Sequence, residues 1–331
     1  WWGNGVYVDY GGGNWSEGLT SYLADHLIQE QRGLGAEYRR GSLQKYADHV
    51  RGGRDFPLTE FRARHSSATQ AVGYGKALML FHMLRRELGD AAFVEGLRRF
   101  YRERRFQVSG YADLERSFSA AAGRPLAAFF RQWLQRTGAP ALLLADARVE
   151  PGGDGYRLRV QIEQTQVGAP YRLRLPLAVT LEDREQAYQT EAEIDRRRQE
   201  IELDLPARPL HLAVDPEFDL FRRLDRREIP PALSQAFGAE RALVLLPAAA
   251  PRARLAGYRT LAESWQRGRQ LEIRLDRDFE RLPADRAVWL FGWDNRFRPE
   301  FVDALTGYPF LDQGDRVEMA GETLDRAMRR Y

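Results

Sequence analysis

The chain contains no cysteine. That excludes a disulfide framework and a thiolate metal site, and leaves the redox compartment open. It has no run of about 18 apolar residues, so no segment of the sequence reads as a membrane-spanning helix. It begins Trp1-Trp2-Gly3-Asn4, without Met and without a basic-then-apolar leader. Such a start is expected of a piece excised from a longer protein. Histidine is scarce: His26, His49, His65, His82 and His211. None stands in H-E-x-x-H, and no two are spaced to share a helix face as zinc ligands. There is no G-x-S-x-G elbow, no P-loop and no G-x-G-x-x-G behind a strand. Gly11-Gly12-Gly13 is too compact for a dinucleotide turn. Charge of one sign is also lacking. The 50 basic and 47 acidic side chains leave a net charge of only +3, so a pI near 9.1 does not argue for a nucleic-acid partner. Arg greatly outnumbers Lys, which reads as a coding-composition bias and not as a binding surface.

What is present is the material of a folded protein. A length of 331 residues is enough for two or three domains, and 44% hydrophobic with 29% charged residues is ordinary for a packed chain. Residues 1–140 read as helical. In 17–31 Leu19, Tyr22, Leu23, Leu27 and Ile28 fall on one stripe, with Ser16 as the expected cap and Gly33 and Gly35 as the stop. Further helices are expected over 76–88, closed by Gly89, over 90–104 with Asp90 as cap, and over 110–123 and 125–138. The polar, glycine-spotted stretch 32–65 reads as a connection around a site. At Gly138-Ala139-Pro140 the period changes to two: 156–164, 171–181, 200–205 and 209–215 alternate as strands, and an antiparallel β-sandwich is expected, with 215–224 as its exit. After Pro230-Pro231, strands at 241–247, 270–275 and 287–293 alternate with helices at 258–268 and 298–307, which predicts a small α/β layer.

The opening stretch carries the strongest resemblance. "WWGNGVYVDYGGGNWSEGLTSYLADH" resembles the segment after the zinc helix in the aminopeptidase N family of gluzincin metallopeptidases. There H-E-x-x-H is followed by x-W-x-G-N and then by N-E-G or a variant of it. Trp1, Gly3 and Asn4 align with W-x-G-N, and Ser16-Glu17-Gly18 with N-E-G. "VGYGKALMLFHML" (72–84) resembles the Y-x-K-G segment of the same family, with Ala77 in place of the usual Gly. "FFRQWLQRTGAPAL" (129–142) resembles its F-x-x-W-x-x-x-x-G-x-P passage into a β-sandwich. Ser16 and Ala77 mark a divergent branch, and residues beyond about 220 have no counterpart in the resemblance.

The expected architecture is multidomain: the resemblance implies a helical, thermolysin-like catalytic half over 1–140 and a β-sandwich over 141–224, and the strand–helix alternation adds a small α/β domain over 225–331. The resemblance also implies that Glu17 is the third zinc ligand and Tyr74 the oxyanion-stabilising catalytic residue. The two zinc histidines and the general-base Glu would then stand just upstream of Trp1. A catalytic zinc takes three protein ligands and keeps a position for water, and a tyrosine hydroxyl can bond the oxyanion that forms. The implied function is hydrolysis of peptide substrates by a zinc aminopeptidase, of which this chain is the downstream portion. Alone it is expected to be inactive and to bind zinc weakly or not at all. The alternative is a non-catalytic scaffold that kept the peptidase fold for peptide or partner binding, and the last hundred residues can also be a regulatory or oligomerising domain. A periplasmic or membrane-associated parent is expected over a cytoplasmic one.

The other residues have plainer readings. Asp25 is expected in solvent and not behind a ligand histidine, and His26 and His82 are expected as satisfied histidines. Trp15 is expected to pack, Arg196-Arg197-Arg198 to form a solvated hairpin tip, and Trp289, Phe291 and Trp293 to be core.

Overall fold

The computed structural model describes residues 2–51, 53–153, 155–225, 228–229, 239, 241–266, 270–283, 286–305, 310–319 and 322–325. Trp1 and the Pro230-Pro231 pair lie outside the described residues. By its contacts the chain divides into two compact units, Trp1–Pro230 and Pro231–Tyr331. Among the described residues no helix is long and apolar enough to cross a membrane.

The first unit begins with strand β1 (Tyr7–Val8), which pairs in parallel with β2 (Val108–Ser109). Helix α1 (Trp15–Ser21) runs through a π-helical turn (Tyr22–His26) into α2 (Leu27–Gln31). Its cap is Asn14 and not Ser16: the Asn14 side chain accepts the Ser16 amide at 3.2 Å. Ser16 is itself helical, and its hydroxyl donates back to Asn14 at 2.8 Å. The stretch 32–65, expected as a connection, contains a 15-residue helix, α3 (Gly35–His49). Its inward face mixes Leu43, Tyr46 and Ala47 with Arg39 and Asp48, so it has no clean apolar stripe to betray it.

The next helical run also starts earlier than its apolar pattern. It begins at α4 (Ser67–Gln70), capped by Ser66 and Thr69, passes through a second π turn (Ala71–Lys76), and continues as α5 (Ala77–Leu88). From Ala77 to Leu84 every residue of α5 is buried. Helices α6 (Asp90–Arg104), α7 (Tyr111–Ala122) and α8 (Ala127–Gln135) follow. Asp90, expected as a cap, is the first residue of α6 and pairs with Arg85 at 2.7 Å.

From Leu142 the chain is extended. Strands β3 (Leu142–Gly152), β4 (Gly155–Gln164) and β7 (Arg198–Leu205) form one antiparallel sheet. β6 (Tyr188–Ile194), β5 (Leu173–Leu181) and β8 (Pro209–Val214) form another, also antiparallel. The inward residues alternate as the period of two predicts: Leu158, Val160 and Ile162 on β4, and Leu173, Leu175, Leu177, Val179 and Leu181 on β5. They belong to the same buried cluster as the helices. β3 and β6 lack an apolar alternation to mark them as strands in the sequence, because much of each is exposed.

In the second unit β9 (Arg241–Leu246) is the centre of a parallel sheet in the order β10-β9-β11, with β10 at Gln270–Leu275 and β11 at Ala287–Leu290. Helices span Arg252–Ser264 and Arg298–Ala304, with the boundaries of the first shifted toward the N-terminus from its expected place. Phe291 is buried beside Trp265 and Trp289, while Trp293 lies under the Arg298 guanidinium at 4.5 Å. A three-stranded meander, β12 (Phe310–Asp312), β13 (Arg316–Met319) and β14 (Glu322–Asp325), follows the second helix.

Candidate functional site

Glu17 sits on the first turn of α1, where a carboxylate is favoured by the helix dipole. The turn is fixed from three sides. The Asn14 side-chain amide donates to the Arg62 carbonyl at 3.1 Å, and the Asn14 backbone amide to the Phe61 carbonyl at 2.8 Å. The indole of Trp15, fully buried as expected of a packing residue, donates to the Ser109 carbonyl at 2.7 Å. Gly13 has φ +106°, and a Cβ there would lie 2.4 Å from the Leu58 carbonyl oxygen. The last of the three glycines is therefore needed for the backbone to pass against the 58–60 turn before the helix starts.

The helix bearing Glu17 then crosses the one bearing Tyr74 in direct backbone-to-methyl contact. A Cβ on Gly18 would stand 2.2 Å from the Ala77 methyl. Ala77 is one of the two positions where the sequence departs from its resemblance, and its methyl fills the space left by Gly18. The crossing brings Tyr74, in the π turn, to Glu17. The phenol is half-buried, and burial, then the neighbouring Glu17 carboxylate, push its pKa up, opposed by Arg64. It remains a protonated donor at neutral pH. The structure thus brings together the two residues singled out from the sequence. Single π turns of this kind are an inserted residue in a helix and recur at functional sites.

Asp25 is exposed and takes no part. His26 and His82 are buried in a separate polar cluster. The Arg39 guanidinium donates to His26 Nε2 at 2.9 Å and bonds the carbonyls of Glu217 and Phe218. His82 Nε2 lies 2.8 Å from the Asp219 carboxylate, and its Nδ1 lies 3.3 Å from the Tyr22 hydroxyl. Burial lowers the pKa of both rings, that of His26 to about 3. A neutral His26 is what the geometry requires, since its Nε2 accepts from Arg39. These contacts were not readable in the sequence, because Arg39 and Asp219 are separated by most of the first unit. Arg197, expected in solvent, donates to the backbone carbonyls of Gln164, Gln166 and Gly168 and holds that loop.

Among the described residues no three His, Asp or Glu side chains converge as a metal-binding set. Glu17 is a half-exposed carboxylate near the Tyr74 phenol, and one carboxylate alone is not a metal site.

No protein-family model matches the chain. It is similar to aminopeptidase N of Lactococcus lactis subsp. lactis, 36% identical over 72 residues, which is 22% of this chain and 8% of that protein. It is also similar to the alanine/arginine aminopeptidase of Saccharomyces cerevisiae, 23% identical over 149 residues, or 43% of this chain and 17% of that one. Among solved structures it aligns with the crystal structure of Legionella pneumophila aminopeptidase A in complex with aspartic acid, at TM-score 0.42 and 17% identity over 69% of this chain and 27% of that one. The sequence similarities are to aminopeptidases, and the chain spans a small fraction of their length.

Proposed function

We propose that this chain is the downstream portion of a zinc-dependent aminopeptidase-like hydrolase, in which Glu17 is the third zinc ligand and Tyr74 stabilises the oxyanion. The observation that carries the reading is that the Gly18–Ala77 crossing sets the Tyr74 phenol beside the Glu17 carboxylate. The similarity to two aminopeptidases supports it. The two zinc histidines and the general base are proposed to lie directly upstream of Trp1.

Zinc, when bound, supplies Lewis acidity toward the scissile carbonyl and its attacking water. The chain's own residues supply placement and a proton donor. Asn14 and Trp15 hold the first turn of α1, so that Glu17 presents its carboxylate at a fixed point. Burial and the nearby Glu17 charge keep the Tyr74 proton on its oxygen. That O–H is a donor available to the negative charge that develops on a substrate oxygen, and such a donor acts most strongly in the transition state.

Two variants of the full-length parent test the roles. Glu17→Gln is expected to weaken zinc binding by roughly 10-fold or more, since even outer partners of a zinc ligand contribute that much. Tyr74→Phe is expected to lower kcat by about 100-fold to 1,000-fold at unchanged zinc content. Unchanged zinc affinity in the first overturns the ligand role, and unchanged turnover in the second overturns the oxyanion role. A parent without H-E-x-x-H directly before Trp1 overturns the catalytic reading in favour of a peptide-binding scaffold.

A further inference from the structure

The chain has two lysines, Lys45 and Lys76, against a large excess of arginine. One of the two, Lys76, is 1% exposed. Lys76 closes the π turn Ala71–Lys76 that carries Tyr74. Its Nζ donates to the Arg136 carbonyl at 2.6 Å, beneath the Phe221 ring at 5.6 Å. Arg136 is the residue at which α8 ends, and its guanidinium stacks on Tyr171 at 3.5 Å and donates to the Pro170 carbonyl at 3.0 Å. Asp55 is the acidic neighbour of the ammonium. Its carboxylate accepts the Tyr46 hydroxyl from α3 at 2.8 Å and the Gly138 amide. The lysine therefore joins the π turn to the passage 136–138 that leads into the sheets.

Burying an ammonium is costly, and where stability alone matters an apolar side chain of similar length is usually as good or better. The charge at this place calls for another reason, and the turn supplies one. Gly73 and Gly75 flank Tyr74 and give it no side-chain anchor of their own. The Phe61 ring occupies the place a Gly73 side chain would take, 2.1 Å from the position of its Cβ. Along the turn Val72 is buried and the Phe61 ring meets the Tyr74 ring edge-on at 5.8 Å, and at its end the turn is gripped by Ala77 against Gly18 and by Lys76 against Arg136.

We propose that Lys76 is a positioning residue whose bond to the Arg136 carbonyl fixes the π turn and so aims the Tyr74 hydroxyl at Glu17. Its catalytic meaning rests on the role given to Tyr74 above, while its geometric content does not. Burial draws the ammonium down to about 8, against the pull of Asp55 and with that of Arg136, so it is mainly charged at pH 7.

The test places 3-fluorotyrosine at position 74 of the full chain and reads its fluorine resonance and phenol titration with and without Lys76→Met. In a folded K76M, with cooperative unfolding retained, the resonance is expected to move or broaden. The phenol pKa is expected to fall toward that of free fluorotyrosine as the Glu17 contact loosens. A folded K76M with resonance and titration unchanged overturns the proposal. Should K76M fail to fold, Lys76→Gln, which keeps a donor in a shorter chain, is read in the same way and with the same two outcomes. In the parent enzyme K76M is expected to lower kcat in the Tyr74 background and to cost nothing further in Y74F. Full additivity of the two losses overturns positioning through Tyr74. A Y74F that leaves turnover unchanged overturns the functional reading instead, and the fluorine result stands apart from it.

Discussion

The helices and the strands of the first unit share one core yet treat polar side chains in opposite ways. Among the described residues the helical segments bury Asn14, Ser16, His26, Arg39, Asp48, Lys76, His82 and Ser117, whereas the strands bury Ser109 and Gln164. The strands keep their charges outside, paired across the ladder: Arg157 with Asp204 at 3.0 Å, Arg159 with Glu202 at 2.9 Å, and Arg198 with Glu163 at 3.0 Å. Exposed pairs of this kind contribute little, and the strands are held by apolar alternation. The helical part instead carries buried polar groups, several of which fix a backbone segment. Asn14 holds 61–62, Lys76 holds 136, and Arg39 holds 217–218. The difference separates a part built for stability from a part in which position matters.

Removing Arg39 breaks that comparison most severely. Arg39→Ala leaves Asp219, the Glu217 carbonyl and the His26 ring without their shared donor, and is expected to cost about 3–5 kcal/mol in urea unfolding of the chain. A loss below about 1 kcal/mol would mean that the cluster is no more than solvated surface chemistry.

Acid provides the next effect. His26 is held near pKa 3 in the folded chain by burial, then by the charges of His82, Arg39 and Arg85. The unfolded chain takes up the proton near the ordinary value of about 6.5. Between those two values the unfolded state binds more protons, so the His26 contribution to stability is present above about pH 6.5 and is lost progressively as pH falls toward 3. Chemical denaturation between about pH 7 and 4 is expected to show a shallower decline in His26→Gln than in the unaltered chain. Parallel slopes would remove His26 from the account.

The smallest effect belongs to the strands. Arg159→Ala removes a cross-strand ion pair on the exposed face and is expected to change stability by less than about 1 kcal/mol. A larger loss would erase the contrast between the two regions.

The sequence shows some of this directly and hides the rest for identifiable reasons. The alternation of 156–164 and 171–181 is a local pattern and its strands formed as the period requires, whereas the helix expected over 17–31 is interrupted by the π turn Tyr22–His26 and leaves Ile28 of its stripe exposed. Helix α3 was hidden because its buried face includes Arg39 and Asp48, and the groups Arg39 bonds lie far along the chain. Strands β3 and β6 are hidden because most of their residues are exposed and carry no apolar alternation. The cap fell at Asn14 and not at Ser16, a choice settled by which side chain could reach the Ser16 amide while bonding the 61–62 segment.

The sequence by itself determined the candidate pair. Ser16-Glu17-Gly18 and Val72-Gly73-Tyr74-Gly75-Lys76 are short motifs, and the residue types they need are written in order along the chain. Tertiary structure alone decided that the two meet, because contact depends on Gly18 lying against the Ala77 methyl, a packing relation between helices that no local period records. It alone decided that Lys76 is an interior ammonium. A lysine reads as surface in any sequence, and only the fold could supply the Arg136 carbonyl that lets it be buried.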